Sequence, residues 1–118
     1  MRDGNGAWPV DVSTALGMAL RRARTKYSCS LRDLAKRGGV SVSFLSRVET
    51  AQERAPDHVL TLYADSFRVD VDELFRLAGR VHSDVAEHLV ENPKAVRKIR
   101  AEIERKSRQE KNRPISGH

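Results

Sequence analysis

"LRDLAKRGGVSVSFLSRVET", Leu31 to Thr50, is the stretch that decides how this chain folds. It follows Ser30, whose hydroxyl can accept from the N–H groups that a helix start leaves unpaired. Asp33, three residues on, resembles the acidic half of a capping box. The helix so begun, "LRDLAKR", is short, because Gly38 and Gly39 end it. Ser41 then caps another helix that runs through Thr50. Between the two, Ala35 is small enough to let the helices touch. Gly39, four residues later, tolerates the positive φ of a tight turn, and Val40 follows as an apolar plug for the angle. Leu34, Leu45 and Val48 supply the inner faces. Helical hairpins in general meet a few of these requirements by chance and seldom all of them together.

Two short helices joined in this way form a helix-turn-helix candidate, and the rest of the chain builds around it. Upstream, a helix is expected to start near Asp11 or Ser13, both good caps. Val12, Leu16, Ala19, Leu20 and Ala23 recur at helical spacing, and Arg21, Arg22, Arg24 and Lys26 fill the final turns, where cations suit the helix dipole. "YSCS" breaks it. Residues 1–10, "MRDGNGAWPV", read as a flexible arm in which Trp8 can fold back on the domain. Downstream, "AQERAPD" is a loop with Pro56 at a first helical position. "DHVLTLYADSF" carries Leu60, Tyr63, Ala64 and Phe67 on one face. Asp70 caps "VDELFRLA", which Gly79 closes.

After residue 80 the pattern thins. Ser83 caps "DVAEHLVE", "ENP" marks a break, and a longer helix after Pro93 carries Val96, Ile99 and Ile103 as a narrow stripe. From Ser107 the chain is charged and unpatterned. The expected organisation is an arm over 1–10, a domain over 11–80, a helical extension over 81–107 and a disordered tail over 108–118.

A chain of 118 residues suits one domain with an appendage. Its 39% apolar and 32% charged residues suit a modest helical core with a wet surface. Two Tyr, three Phe and one Trp, without period-two alternation, argue against sheet. The net charge of +6 favours polyanionic partners or is simply a mixed-charge surface. One cysteine, Cys29, allows no intramolecular disulfide and no cysteine-rich metal site. With neither a signal-like N-terminus nor an apolar run long enough to span a bilayer, the expectation is a soluble, cytoplasmic protein without membrane partners.

The segments "LGMALRRAR", "SLRDLAKRGGVSVSFLSRVET" and "LYADSFRVDVDELF" resemble the phage-repressor-like helix-turn-helix family, the group of lambda repressor and Cro, from about Leu16 to Phe75 without a gap. The resemblance implies an all-α fold: a five-helix lambda-repressor-like DNA-binding domain, here with a C-terminal helical extension. It implies a transcriptional regulator, read as a homodimeric repressor, bacterial or phage-encoded and nucleoid-associated when bound to double-stranded DNA. It suggests an internal ion pair between Arg24 and Glu49. In such domains the N-terminal turn of the third helix enters the major groove, which turns Val42, Ser43, Ser46 and Arg47 toward the bases. Val42 can meet a thymine methyl, the two serines can hydrogen-bond with little selectivity, and Arg47 can grip guanine O6 and N7 together. Phe44 either packs beside the second helix or touches the DNA backbone. Ser30 and Arg32, at the start of the second helix, and Gln52 and Arg54, in the loop after the third, are the candidate phosphate contacts. Lys36 and Arg37 lie at the far end of the second helix. Two departures stand out. Leu31 replaces a glutamine common in the family and weakens one phosphate clamp. Ala51 replaces a usual glycine, implying either another loop geometry or about 1 kcal/mol of strain.

Other readings are weaker or stay open. His58, His82, His88 and His118 lack metal-ligand spacing, no phosphate-cradling loop occurs, and neither an enzyme nor a cofactor is implied. Cys29 is a small core residue or a redox-sensing thiol. Residues 83–106 have three uses. The stripe Val96, Ile99 and Ile103 suits a homodimer seam. The segment could instead wrap a protein partner, as in an antitoxin that autoregulates its operon. Its Lys and Arg could also add salt-dependent DNA affinity, although Glu102, Glu104 and Glu110 are interspersed among them.

Overall fold

The computed structural model describes residues 10–112, with side chains from residue 14. The expected arm with Trp8, the Val12 side chain and residues 113–118 with His118 lie outside what it describes. The described residues are helical, in the order α1 (Val10–Lys26), α2 (Leu31–Gly38), α3 (Val42–Glu49), α4 (Asp57–Phe67), α5 (Val71–Leu77), α6 (Ser83–Glu91) and α7 (Pro93–Lys111). They divide into two compact units, Met1–His82 and Ser83–His118.

In the first unit, α1 packs on α3, α4 and α5, α2 packs on α3, and α4 packs on α5. Leu16, Leu20 and Ala23 of α1 enter the core together with Leu34, Ala35, Leu45, Val48, Val59, Leu60, Tyr63, Phe67, Leu74 and Phe75. Val40 and Leu31 pack partly against it. The spacings of three and four therefore do build the apolar stripes from which the domain is assembled. α1 runs close against α3 at Gly17, where an added Cβ would lie 2.4 Å from the Glu49 carbonyl oxygen.

The five helix ends of this unit share one device. At the end of α2, Val40 N–H donates to the Ala35 carbonyl at 3.0 Å and Gly39 N–H to that of Lys36 at 3.4 Å, with Gly39 at φ 65. This is a Schellman motif, which satisfies carbonyls that the helix end leaves unpaired. The left-handed position recurs at Ser28, Ala51, Arg68 and Gly79, with φ of 52, 62, 54 and 72. Each is followed by an N–H that reaches back five residues: Cys29 to Arg24, Gln52 to Arg47, Val69 to Ala64 and Arg80 to Phe75. Three of the five positions carry a side chain where glycine would be unstrained.

The starts also follow local chemistry. Ser30 Oγ accepts from Asp33 N–H at 3.0 Å, Ser41 Oγ from Phe44 N–H at 3.1 Å, and Asp70 from Asp72 N–H at 2.9 Å. Several boundaries depart from the sequence expectation. α1 begins at Val10, so neither Asp11 nor Ser13 is its cap. Pro56 stands at the cap of α4 rather than inside it, and Ser83 is already within α6.

In the second unit, α6 and α7 meet at Asn92, whose side-chain amide donates to the His88 carbonyl at 2.8 Å. α7 continues through Lys111, where a disordered tail from residue 108 was expected. Lys, Arg, Glu and Gln are good helix formers, and pairs such as Glu102 with Lys106 stand at helical spacing, so a polar surface does not end the helix. None of the described residues of this unit is buried, and Val96, Ile99 and Ile103 remain exposed.

Candidate nucleic-acid interface

α3 presents two unlike faces. Leu45, Val48 and Glu49 are buried. On the outward side Val42, Ser43 and Arg47 are exposed and Ser46 is half-buried. Val42 leaves 43% of its surface in water, which makes it available to a partner. Phe44 is half-buried and packs against the core, which favours the packing one of its two readings. Ser30, Arg32, Gln52 and Arg54 are all exposed, as are Lys36 and Arg37. They lie on α2, at its cap and on the loop after α3. Leu31, where the resemblance leads one to look for glutamine, packs partly into the core.

α3 is held from behind by a largely buried polar triad. Arg24 Nε and Nη2 each donate to the Glu49 carboxylate at 2.8 Å. Tyr63 Oη donates to the same carboxylate at 2.6 Å. Arg24 Nη1 donates to the Cys29 carbonyl at 2.9 Å. α1, α3 and α4 are thereby tied at one point, and among the described residues no buried side-chain N or O lacks a partner. The bond to Glu49 raises the Arg24 pKa above the ordinary arginine value, against the opposing effect of burial. Burial, then the Glu49 bond, push the Tyr63 phenol far above its usual range. The resemblance pairs Arg24 with Glu49. Tyr63 lies in an apolar helical stripe, and nothing in such a stripe says which member carries a buried hydroxyl to a partner.

Two further contacts had no sequence signal. On the loop, Arg47 Nε donates to Glu53 Oε1 at 3.1 Å, with both side chains substantially exposed. Gln52 and Glu53 N–H both donate to the Arg47 carbonyl, at 2.8 and 3.2 Å. Beyond α5, Arg80 donates to Asp57 at 2.5 Å and to the Ala55 carbonyl, and its guanidinium lies 5.9 Å from the Phe75 ring centre. Burial, and then the charge of Arg54, lower the Arg80 pKa below the ordinary arginine value, while Asp57 opposes them. Arg80 thus braces the loop that presents Arg54. The Arg80 contacts link residues distant in sequence and the Arg47–Glu53 pair joins a helix to the loop after it, so periodicity reveals neither.

Ala51 takes the left-handed conformation, φ 62. Of the two consequences considered for the missing glycine, the loop geometry is therefore kept and the side chain bears the strain.

The comparisons agree with this architecture. A family model described as helix-turn-helix matches residues 20–74, which run from α1 through α5. No curated protein matches the chain. Among the described residues no helix is long and apolar enough to cross a membrane. With an all-helical fold, the turn at Gly39 and a family match over α2 and α3, residues 20–74 are a helix-turn-helix domain of the phage-repressor-like, DNA-binding regulatory family.

Proposed function

We propose that the protein is a sequence-specific regulator of transcription that binds double-stranded DNA as a homodimer and represses by occupying its operator. The observation that carries this reading is the division of α3: one face is locked into the core while Val42, Ser43 and Arg47 stand exposed beside it. A helix so anchored delivers its outward side chains to the major groove in a fixed register. Val42 contacts a thymine methyl, Ser43 and Ser46 hydrogen-bond to base edges or phosphates, and Arg47 binds guanine. The cap of α2 at Ser30, with Arg32, and the loop residues Gln52 and Arg54 bind phosphates and set the docking angle.

One strong base-reading donor per half-site is modest. Specificity then leans on dimerisation and on DNA shape. The second unit supports dimerisation, because Val96, Ile99 and Ile103 stand exposed on α7 at spacings of three and four, the pattern of a two-helix seam. A second reading, capture of a partner protein by residues 83–106, is favoured by Val90, which is 83% exposed on α6.

The test is selection of bound sites from random duplex DNA at a fixed, near-physiological salt concentration. The expected result is a motif with two-fold symmetry. Weak enrichment without a motif, disappearing as salt rises, refutes specific recognition. Arg54→Ala is expected to weaken all sequences alike and to flatten the salt dependence. Ile99→Asp is expected to lower the sedimenting mass toward that of the monomer; an unchanged mass removes α7 from the dimer seam.

A further inference from the structure

We infer that Glu53 is a specificity-determining positioning residue: it holds the Arg47 guanidinium so that its two terminal amino groups face a guanine. The inference rests on the proposed reading of α3 as the groove-entering helix. Its geometric basis is independent of that reading.

An arginine offers five N–H donors in a planar fork. Here Nε is engaged by Glu53 Oε1 at 3.1 Å. The pair of donors left for a ligand is the end-on pair, Nη1 and Nη2, which matches guanine O6 and N7. Glu53 does not reach this place by chance rotation of a long side chain. Its backbone N–H donates to the carbonyl of Arg47 itself, at 3.2 Å, beside the Gln52 bond at 2.8 Å. The Gln52 bond belongs to the Schellman turn whose left-handed residue is Ala51, and Glu53 shares the same carbonyl just beyond it. The end of the helix thus places a carboxylate beside the one strongly basic side chain of α3. An exposed pair of this kind adds little to fold stability. Its effect lies in binding, where it removes freedom from a rotamer-rich side chain before DNA arrives.

A carboxylate near DNA also repels phosphate. The two effects of Glu53 have opposite signs: it lowers affinity for DNA of any sequence and raises discrimination at one base pair. That opposition gives a signature that a folding defect cannot imitate, since misfolding weakens both.

The experiment measures binding of the full-length protein and of Glu53→Gln, Arg47→Ala and the double variant. The probes are a selected site, all its single-base variants and an unrelated duplex, at fixed salt. Glu53→Gln is expected to bind the unrelated duplex more tightly. It is expected to lose roughly three- to tenfold of its discrimination at the base pair that Arg47→Ala relaxes. In the double variant the Glu53 substitution should change discrimination there no further. Glu53→Asp, with a shorter reach, should discriminate less well than wild type and keep its weak binding to the unrelated duplex. If Arg47→Ala relaxes one position and Glu53→Gln leaves it intact, the positioning role alone is overturned. If Arg47→Ala relaxes no position, α3 does not read bases through Arg47, and both the function assignment for that residue and the role of Glu53 fall.

Discussion

Replacing Arg24 with methionine tests how α3 is anchored. Methionine keeps most of the aliphatic packing and removes the charge. What is lost is two charge-assisted hydrogen bonds of 2.8 Å to Glu49 and one to the Cys29 carbonyl. The Glu49 carboxylate, whose side chain is only 4% exposed, is left with Tyr63 as its one remaining donor among these partners. Unit charges 4 Å apart attract by about 4 kcal/mol at an effective dielectric constant of about 20. Breaking a buried pair by removing one partner costs about 3–5 kcal/mol. Arg24 retains some contact with water, at 12% side-chain exposure, which places the expected loss toward the lower end, about 3 kcal/mol. In a domain of this size each kcal/mol is worth roughly 4–8 °C, so Tm should fall by roughly 12–24 °C. Urea and thermal melts followed by far-UV circular dichroism measure both quantities. Adding Glu49→Gln to the same chain removes the stranded charge and keeps an acceptor for Tyr63. The double variant should therefore recover about 1–2 kcal/mol over Arg24→Met alone. A loss below about 1 kcal/mol for Arg24→Met, or losses that simply add in the double variant, would show that the carboxylate does not depend on the guanidinium. The anchoring of α3 through Glu49 would then be wrong.

Three further outcomes follow from particular residues. Gly17→Ala should destabilise by about 1–3 kcal/mol in urea melts, because the new Cβ meets the Glu49 carbonyl oxygen at 2.4 Å and backbone has to move; a gain in stability would mean that α1 and α3 are further apart than described. Ala51→Gly should raise stability by about 1 kcal/mol by relieving the left-handed strain at φ 62, and a loss of stability would place Ala51 in an ordinary conformation in solution. Tyr63 gives a pH dependence: its folded pKa is raised above the unfolded value near 10, so its stabilisation is complete below about pH 10 and erodes above it by about 1.4 kcal/mol per pH unit. Tyr63→Phe should flatten the alkaline limb of the stability curve by that slope, and an unchanged limb would show that the phenol is not protected.

The residues from Leu31 to Thr50 made the central unit legible in advance, because a small residue, a turn glycine and an apolar plug at fixed spacings are local requirements. Ser30, Ser41 and Asp70 were equally readable, since a cap acts on backbone groups two or three residues away. The same local view failed at the tail, where charge without apolar pattern looked like disorder although good helix formers carry α7 through Lys111. It also offered no preference between geometry and strain at Ala51, because that choice depends on whether the surrounding turn can keep its hydrogen bonds around a side chain.

By itself, then, the sequence determined the helical class, the turn at Gly39 and the outward face of α3, all of which rest on periodicity and on backbone chemistry within a few residues. It also determined, through the spacing of Leu45 and Val48, which side of α3 remained for a partner. Only the tertiary structure decided what fixes that helix in place. Gly17 gains its meaning from a carbonyl on α3, Tyr63 from a carboxylate fourteen residues away, and Arg80 from the loop that carries Arg54. A local pattern can state that a residue faces inward or outward. Which donor meets which acceptor depends on how the helices cross, and that is set by the packing of all five at once.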